Sequence, residues 1–256
     1  MTEILILDYN READLVRLLY SLKEKANFEK RVVVLNNGGE KYADKYLKDG
    51  VIDEVIHNKD NVGSGGGTIQ LFARCQSEYA FYIQVDQSLN FQVKEENVTA
   101  LKELADKNLY VDLAGDQCSG IPSERAGFWK TYNYNKIPKT VFGVGPLDHE
   151  PWSEFCVQDY FRENKETMIS VIQTVEGDSG QMQVPLFKDC GKTSVRENPD
   201  GSRYSHFPDS KTLFCLKTPT EKFTFPPLND EEWDMMIKGD WPEEGKVPSG
   251  WKNDVF

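Results

Sequence analysis

Four apolar runs, each stopping on polar residues and each followed by a helix-like stripe, constrain this chain more than any other feature. Ile4-Leu-Ile-Leu7 ends at Asp8, and Leu15, Leu18, Leu19 and Leu22 then fall on one helical face that Asn10 is placed to cap. Arg31-Val-Val-Val-Leu35 repeats the run and stops at Asn36-Asn-Gly-Gly39, ahead of a short helical stretch from Tyr42 to Leu47. A third run, Glu54-Val-Ile-His57, leads to Asn61-Val-Gly-Ser-Gly-Gly-Gly-Thr-Ile-Gln70 and a buried stripe of Ile69, Phe72 and Ala73. The fourth, Ala80 to Val85, ends on Asp86. Strands apolar throughout need cover on both faces, so the pattern predicts an α/β fold with a mostly parallel, Rossmann-type sheet flanked by helices. Ligands meet such sheets at the carboxyl ends of their strands. Asp8 to Asn10, Asn36 to Gly38, Asn61 to Gly67 and Asp86 to Ser88 should therefore converge on one edge.

The 256 residues suffice for one large domain, and 39% hydrophobic residues can supply its core. Thirty basic against 42 acidic residues give a net charge of -12, with no basic stripe to offset it, so phosphate backbones and anionic membranes are repelled. Nucleic acid is an unexpected partner. Five widely spaced cysteines without a Cys-x-x-Cys pair suit reduced, buried thiols. No apolar run approaches the length of a membrane span, and the amino terminus lacks a basic leader, so a cytoplasmic location is expected.

After a helix around Val98 to Ala105 the pattern changes. Short β-like runs cover Tyr110 to Ala114, Ala126 to Tyr134 and Thr140 to Val144, followed by a helical segment near Glu154 to Asn164 and a strand from Met168 to Thr174. Arg196-Glu-Asn-Pro-Asp-Gly-Ser-Arg203 has the turn chemistry of a hairpin. From Pro219 on, five prolines and three tryptophans suggest an irregular tail. The economical division is one domain over residues 1–218, with a nucleotide-binding half (1–92), an elaborated half (110–218), and a tail (219–256) packed on it.

Glycine-rich phosphate loops come in several forms. Gly191-Lys-Thr193 ends like a P-loop, but Leu186 stands where its first glycine belongs; a dinucleotide fingerprint starting at Gly63 meets Thr68 instead of glycine. Here the glycines follow the third strand. That placement, together with Leu7-Asp-Tyr-Asn-Arg11, Asn36-Asn-Gly-Gly39, Asn61-Val-Gly63 with Gly65 to Gly67, and Val85-Asp-Gln-Ser88, resembles the nucleotide-sugar glycosyltransferases of the GT-A fold, and most closely the inverting family 2. The resemblance covers residues 3–90 with specific motifs and 110–175 more loosely.

It implies roles residue by residue. Asp8, Tyr9 and Asn10 would cradle the base, Tyr9 by its ring and Asn10 by its amide, if Asn10 is not only a helix cap. Asn36 stands where the family commonly has an Asp on the base. Asn61, Gly63, Gly66 and Gly67 would bring backbone close to the nucleotide, with N–H groups at a helix start for phosphate. Asp86 matches the first acid of the family's Asp-x-Asp, which holds Mn2+ or Mg2+ against the diphosphate; the second position is Ser88. Glu154, or else Asp159, would be the base of an inverting transfer. Asp116 would bond donor-sugar hydroxyls, Trp129 and Trp152 either stack on sugar faces or pack in the core, and His206 is either a late metal ligand or a surface histidine.

The expected activity is inverting transfer from a nucleoside-diphosphate sugar, a UDP-sugar first, with a divalent cation. A sugar-1-phosphate nucleotidyltransferase and a non-catalytic nucleotide-sugar or glycan-binding protein are the alternatives. The acceptor and oligomeric state are not legible.

Overall fold

The computed structural model describes residues 1–114, 125–137, 143–144, 151–152, 160, 168–170, 172–177, 180–189, 195–197 and 203–205. The chain begins with β1 (Thr2–Asp8), α1 (Glu12–Lys25), β2 (Ala26–Asn27), β3 (Lys30–Asn36), α2 (Ala43–Lys48), β4 (Glu54–His57) and α3 (Gly63–Arg74). There follow β5 (Tyr79–Gln84), β6 (Gln87–Leu89), β7 (Val93–Lys94), α4 (Glu95–Lys107), β8 (Tyr110–Asp112), β9 (Ala126–Lys130) and α5 (Thr131–Asn135). Short strands make up the rest: β10 (Gly143–Val144), β11 (Pro151–Trp152), β12 (Met168–Ser170), β13 (Ile172–Gly177), β14 (Gly180–Pro185), β15 (Phe187–Asp189), β16 (Val195–Glu197) and β17 (Arg203–Ser205).

Seven strands form the central sheet in the order β12-β8-β9-β5-β1-β3-β4. The four expected apolar runs are its parallel heart: β1 pairs parallel with β3 and β5, and β3 with β4. β9 reverses the direction, antiparallel to both β5 and β8. Because side chains alternate across a strand, Ile4 and Ile6 face one layer and Leu5 and Leu7 the other. The first layer joins them to Leu15, Leu18, Leu19 and Leu22 of α1 and to Val98, Leu101 and Ala105 of α4. The second joins Leu5, Leu7, Val33 and Leu35 to Ile69, Leu71 and Phe72 of α3. Helices thus cover both faces, as strands without a polar side require.

The second half departs from expectation in one described place. The β-like reading of Ala126 to Tyr134 holds only to Lys130, because the partner strand β5 begins at Tyr79, which pairs with Lys130. Beyond it no ladder partner exists, Thr131 turns to donate from its N–H to Glu78 O at 2.9 Å and from its hydroxyl to Ser77 O at 2.7 Å, and α5 starts. This lets Tyr134 stack on Phe72, ring centroids 4.0 Å apart. Gly127 in β9 makes room for Tyr110: a Cβ there would lie 2.1 Å from that ring. The strand expected over Met168 to Thr174 is present as β12 and β13, and β16 and β17 pair antiparallel across the expected hairpin turn. The helix expected near Glu154 to Asn164 and the tail over 219–256 lie outside the described residues, Tyr160 excepted.

At the amino-terminal end of the sheet a carboxylate is fully enclosed. Glu3, 0% exposed, accepts from Arg31 Nη1 at 2.5 Å and from the Gln76 N–H at 2.9 Å; Arg31 reaches on to Glu54. Burial pushes the Glu3 carboxyl up, but hydrogen bonds from Cys75, Gln76 and Arg31 outweigh it and hold it below its usual range. Cys75 is half-buried rather than core, and burial together with Glu3 pushes its thiol up to about 12, so it stays a protonated donor.

A folded value below the unfolded one means that Glu3 contributes its full stability above the unfolded value and loses it as pH falls through the folded one. Glu3→Ala leaves the Gln76 N–H without its acceptor and Arg31 with Glu54 alone, and urea denaturation at pH 7 should show a loss of roughly 1–3 kcal/mol. The gap to wild type should narrow as pH drops below about 4.

Candidate functional site

The carboxyl ends of β4, β3, β1 and β5 are linked in series by hydrogen bonds, which makes one continuous rim of the four polar segments. Asn58 N–H donates to Asn36 O at 3.0 Å, Asn37 N–H to Asp8 O at 2.7 Å and Val85 N–H to Leu7 O at 3.0 Å. These bonds extend the parallel ladder one step past the strands.

Asn37 is the joint between the second and third tips. It is 2% exposed; its Nδ2 donates to Asn61 Oδ1 (2.8 Å) and Gly63 O (2.9 Å), while its Oδ1 accepts from Asn58 Nδ2 (2.9 Å) and the Val62 N–H (3.0 Å). All four hydrogen-bonding positions of a primary amide are filled. Asn61 Oδ1 also accepts from the Gly63 N–H at 2.9 Å, and Gly63 has φ 74, which turns the chain into α3. The fully buried Asn36, expected to offer its amide to a ligand, instead closes its own turn: its Oδ1 accepts from Gly38 N–H at 3.0 Å and its Nδ2 donates to Glu40 O. The Asn36-Asn37 doublet carries the same chemistry at both positions, and the structure turns the second inward as the joint.

The glycine stretch is helix, not open loop. Gly63, Gly65, Gly66 and Gly67 lie in the first turns of α3 and are buried, while Ser64 between them is exposed. A Cβ on Gly67 would sit 2.4 Å from Leu7 Cδ1, so this glycine lets the helix settle on the sheet. β11 lies against the same helix. At Gly67 the close approach is the protein's own.

At the first tip, Asn10 is not a cap. It has φ 51, a left-handed conformation that Asn tolerates, and Arg11 occupies the N-cap of α1 without a side-chain cap bond. The Asn10 amide instead fills the space over Gly38, where a Cβ would lie 2.2 Å from its Oδ1. Asp8 is fully buried; it accepts from the Tyr42 hydroxyl and from the Arg11 N–H at 3.3 Å, and that N–H also reaches Tyr42 Oη at 2.7 Å. Burial pushes the Asp8 carboxyl up even against these bonds, and burial with Asp8 alongside pushes the Tyr42 phenol far up. Asp8 and Tyr42 therefore act as the clamp on the Arg11 backbone. What this tip offers outward is Tyr9, 50% exposed, and Asn10.

At the fourth tip stands Asp86, half-buried. Arg11 Nη1 lies 3.0 Å from its Oδ2, and Gln87 Nε2 3.3 Å from its Oδ1. Gln87 is 1% exposed and its Oε1 has no hydrogen-bond partner among the described residues. That amide presents its Nε2, not its oxygen, to the carboxylate, so Asp86 is the oxygen ligand this tip can offer a hard divalent cation. Among the described residues no cluster of three His, Cys, Asp or Glu side chains gathers anywhere. Ser88, in the second acid's position, is buried in β6, which pairs with β15.

Trp129 belongs to the core: it is 1% exposed, with its ring 4.4 Å from Tyr110 and 5.9 Å from Phe72 between centroids. It carries no sugar face. Trp152 is in β11, and Asp116, Glu154, Asp159 and His206 lie outside the described residues. Arg11 and Gln87 stand at the rim inside the Leu7–Arg11 and Val85–Ser88 motifs, where nothing in the sequence alone distinguishes them from their neighbours. No helix among the described residues is long and apolar enough to cross a membrane.

The family model for Glycosyl transferase family 2 matches residues 3–150, a stretch that includes all four tips. No curated protein matches the chain. Among solved structures it is similar to S. aureus TarS, at 10% identity and TM-score 0.49 over 75% of this chain and 37% of that one. It is similar also to the mannosyltransferase PcManGT from Pyrobaculum calidifontis in complex with GDP-Man and Mn2+, at 11% identity and TM-score 0.49 over 66% of this chain and 54% of that one. A third is S. aureus TarS 1-349 in complex with UDP-GlcNAc, at 13% identity and TM-score 0.47 over 92% of this chain and 70% of that one. The chain spans about a third of the length of the first of these structures and about half of the second.

The Asn37 junction makes a direct test. Asn37→Ala leaves the Val62 N–H and Gly63 C=O without their partner in a buried place, and urea denaturation should report a loss on the order of 2–4 kcal/mol. Asn37→Asp keeps the acceptors but sets a carboxylate oxygen against Asn61 Oδ1 and Gly63 O, and should lose a comparable amount. A change below about 0.5 kcal/mol in both would remove the junction from the account.

Proposed function

The chain belongs to glycosyl transferase family 2, and from that membership we propose that it transfers a sugar from a nucleoside-diphosphate sugar, a UDP-sugar first, to a hydroxyl acceptor with inversion. The observation that carries this reading is the continuous rim: four strand ends tied together, with an open Tyr9 ring at one tip and a carboxylate at another.

Tyr9 would stack on the base, and Asn61, half-exposed beside the first turn of α3, would meet the ribose or the phosphates. The N–H groups at that helix start add a field favourable to anions. Asp86 would hold a divalent cation, whose chemistry is to neutralise the charge that gathers on the departing nucleoside diphosphate. The base, Glu154 first and Asp159 second, would take the acceptor's hydroxyl proton. The oxygen then bonds the anomeric carbon from the face opposite the leaving group, and the bond from that carbon to the phosphate oxygen breaks with its electron pair going to the nucleoside diphosphate. Asp116 and Trp152 would contact sugar, and His206 would complete the cation's ligands late in the chain.

One feature favours a second reading, a nucleotide-sugar or glycan-binding protein without turnover: Ser88 sits buried where the family carries its second acid. Tight nucleotide binding that ignores Mn2+, with no turnover, would select it. Pyrophosphate release from a nucleoside triphosphate and a sugar 1-phosphate would select the nucleotidyltransferase instead.

The transferase reading is tested with a panel of nucleotide sugars, with and without Mn2+. Turnover should depend on Mn2+ and fall about 100-fold or more in Asp86→Ala. Glu154→Gln should lower it by roughly 100- to 10,000-fold. Undiminished turnover in both variants overturns the assignment.

A further inference from the structure

A cationic side chain already occupies the carboxylate that the proposed function gives to a divalent cation. Arg11 Nη1 lies 3.0 Å from Asp86 Oδ2 and 3.7 Å from Asp14 Oδ2. The backbone that carries it is fixed, since its N–H is held by Tyr42 and Asp8 and its C=O accepts from the Asp14 and Leu15 N–H groups of α1. Only the side chain is left to move. A cation bound at roughly 2.0–2.6 Å from Asp86 places two positive charges side by side on one carboxylate. Each weakens the hold of the other.

We propose that Arg11 is the rim's own counter-cation: it competes with a divalent cation for Asp86, and once displaced its guanidinium turns to the diphosphate of the donor. The second half of the proposal rests on the transferase reading; the competition does not. Asp14, itself paired with Arg17, lies close enough to Arg11 to keep the displaced charge partly compensated, so the exchange costs a side-chain rotation and not a rearrangement of the fold. A guanidinium released beside a diphosphate has two planar donors for its oxygens. Binding of the cation and binding of the donor are thereby linked through one side chain.

The test titrates Mn2+ into the full chain without nucleotide, following the spin-resonance signal of free Mn2+, for wild type, Arg11→Met, Arg11→Gln and Arg11→Lys, and for Arg11→Met combined with Asp86→Asn. The two neutral variants should bind Mn2+ about two- to tenfold more tightly than wild type. Arg11→Lys, which keeps the charge, should stay near wild type, and the double variant should lose the gain. Equal or weaker binding by both neutral variants overturns the competition, as does a gain that survives Asp86→Asn. In a second arm, UDP is titrated at saturating Mn2+, and the neutral variants should bind it about tenfold more weakly. Unchanged UDP affinity in both overturns the transfer of Arg11 to the diphosphate. No UDP binding by wild type counts against the nucleotide-sugar reading alone, because the first titration contains no nucleotide.

Discussion

A single buried amide holds the candidate site together. Asn37 spends both donors and both acceptor positions on two neighbouring segments, so the end of β3, the end of β4 and the start of α3 have one relative placement. Parallel strands would bring these tips near one another in any case, but nearness within a few ångströms does not fix their relative placement. The amide does so because a satisfied buried network has few alternative arrangements, and every rearrangement leaves a donor or acceptor stranded. The middle of the rim depends on this inward-facing side chain, as its first tip depends on Asp8 and Tyr42.

The two ends of the sheet solve the same electrostatic problem differently. At the amino-terminal end Glu3 is enclosed, fully bonded and held ionised by donors, and nothing about it faces solvent. At the carboxyl-terminal end Asp8 is equally enclosed, yet burial wins and its carboxyl is pushed up, while Asp86 a strand away stays half-open beside Arg11. The first carboxylate fixes strands, the second fixes the backbone of the residue that faces the third. Charge in this chain passes from structural to available across a single strand spacing.

The sheet and its covering helices were legible because the four parallel strands are apolar on both faces, and only helices on both sides can bury such strands. The location of the site followed from the same fact. Which residues of each tip point inward was not legible, since two adjacent asparagines carry the same chemistry and only the ladder decides that Asn36 closes a turn and Asn37 makes the junction. Gly67 was ambiguous for a related reason: glycine at a strand end signals close approach, but composition cannot say whether a ligand or Leu7 is the neighbour. Trp129 reads alike as a sugar platform or as core until Tyr110 and Phe72 are seen around it. The end of β9 at Lys130 depends on where its partner strand begins, which is a property of pairing and not of the run itself.

The contact between Asn10 and Gly38 reaches beyond this one chain. The amide of one tip fills the space that a side chain on the other would need, so the two positions cannot drift independently through sequence change. A relative that gains a side chain at position 38 is expected to shrink or reorient position 10 at the same time, and with it the residue next to Tyr9. Specificity for the base in such relatives would then shift by paired steps, with single replacements at either site selected against before they reach the ligand.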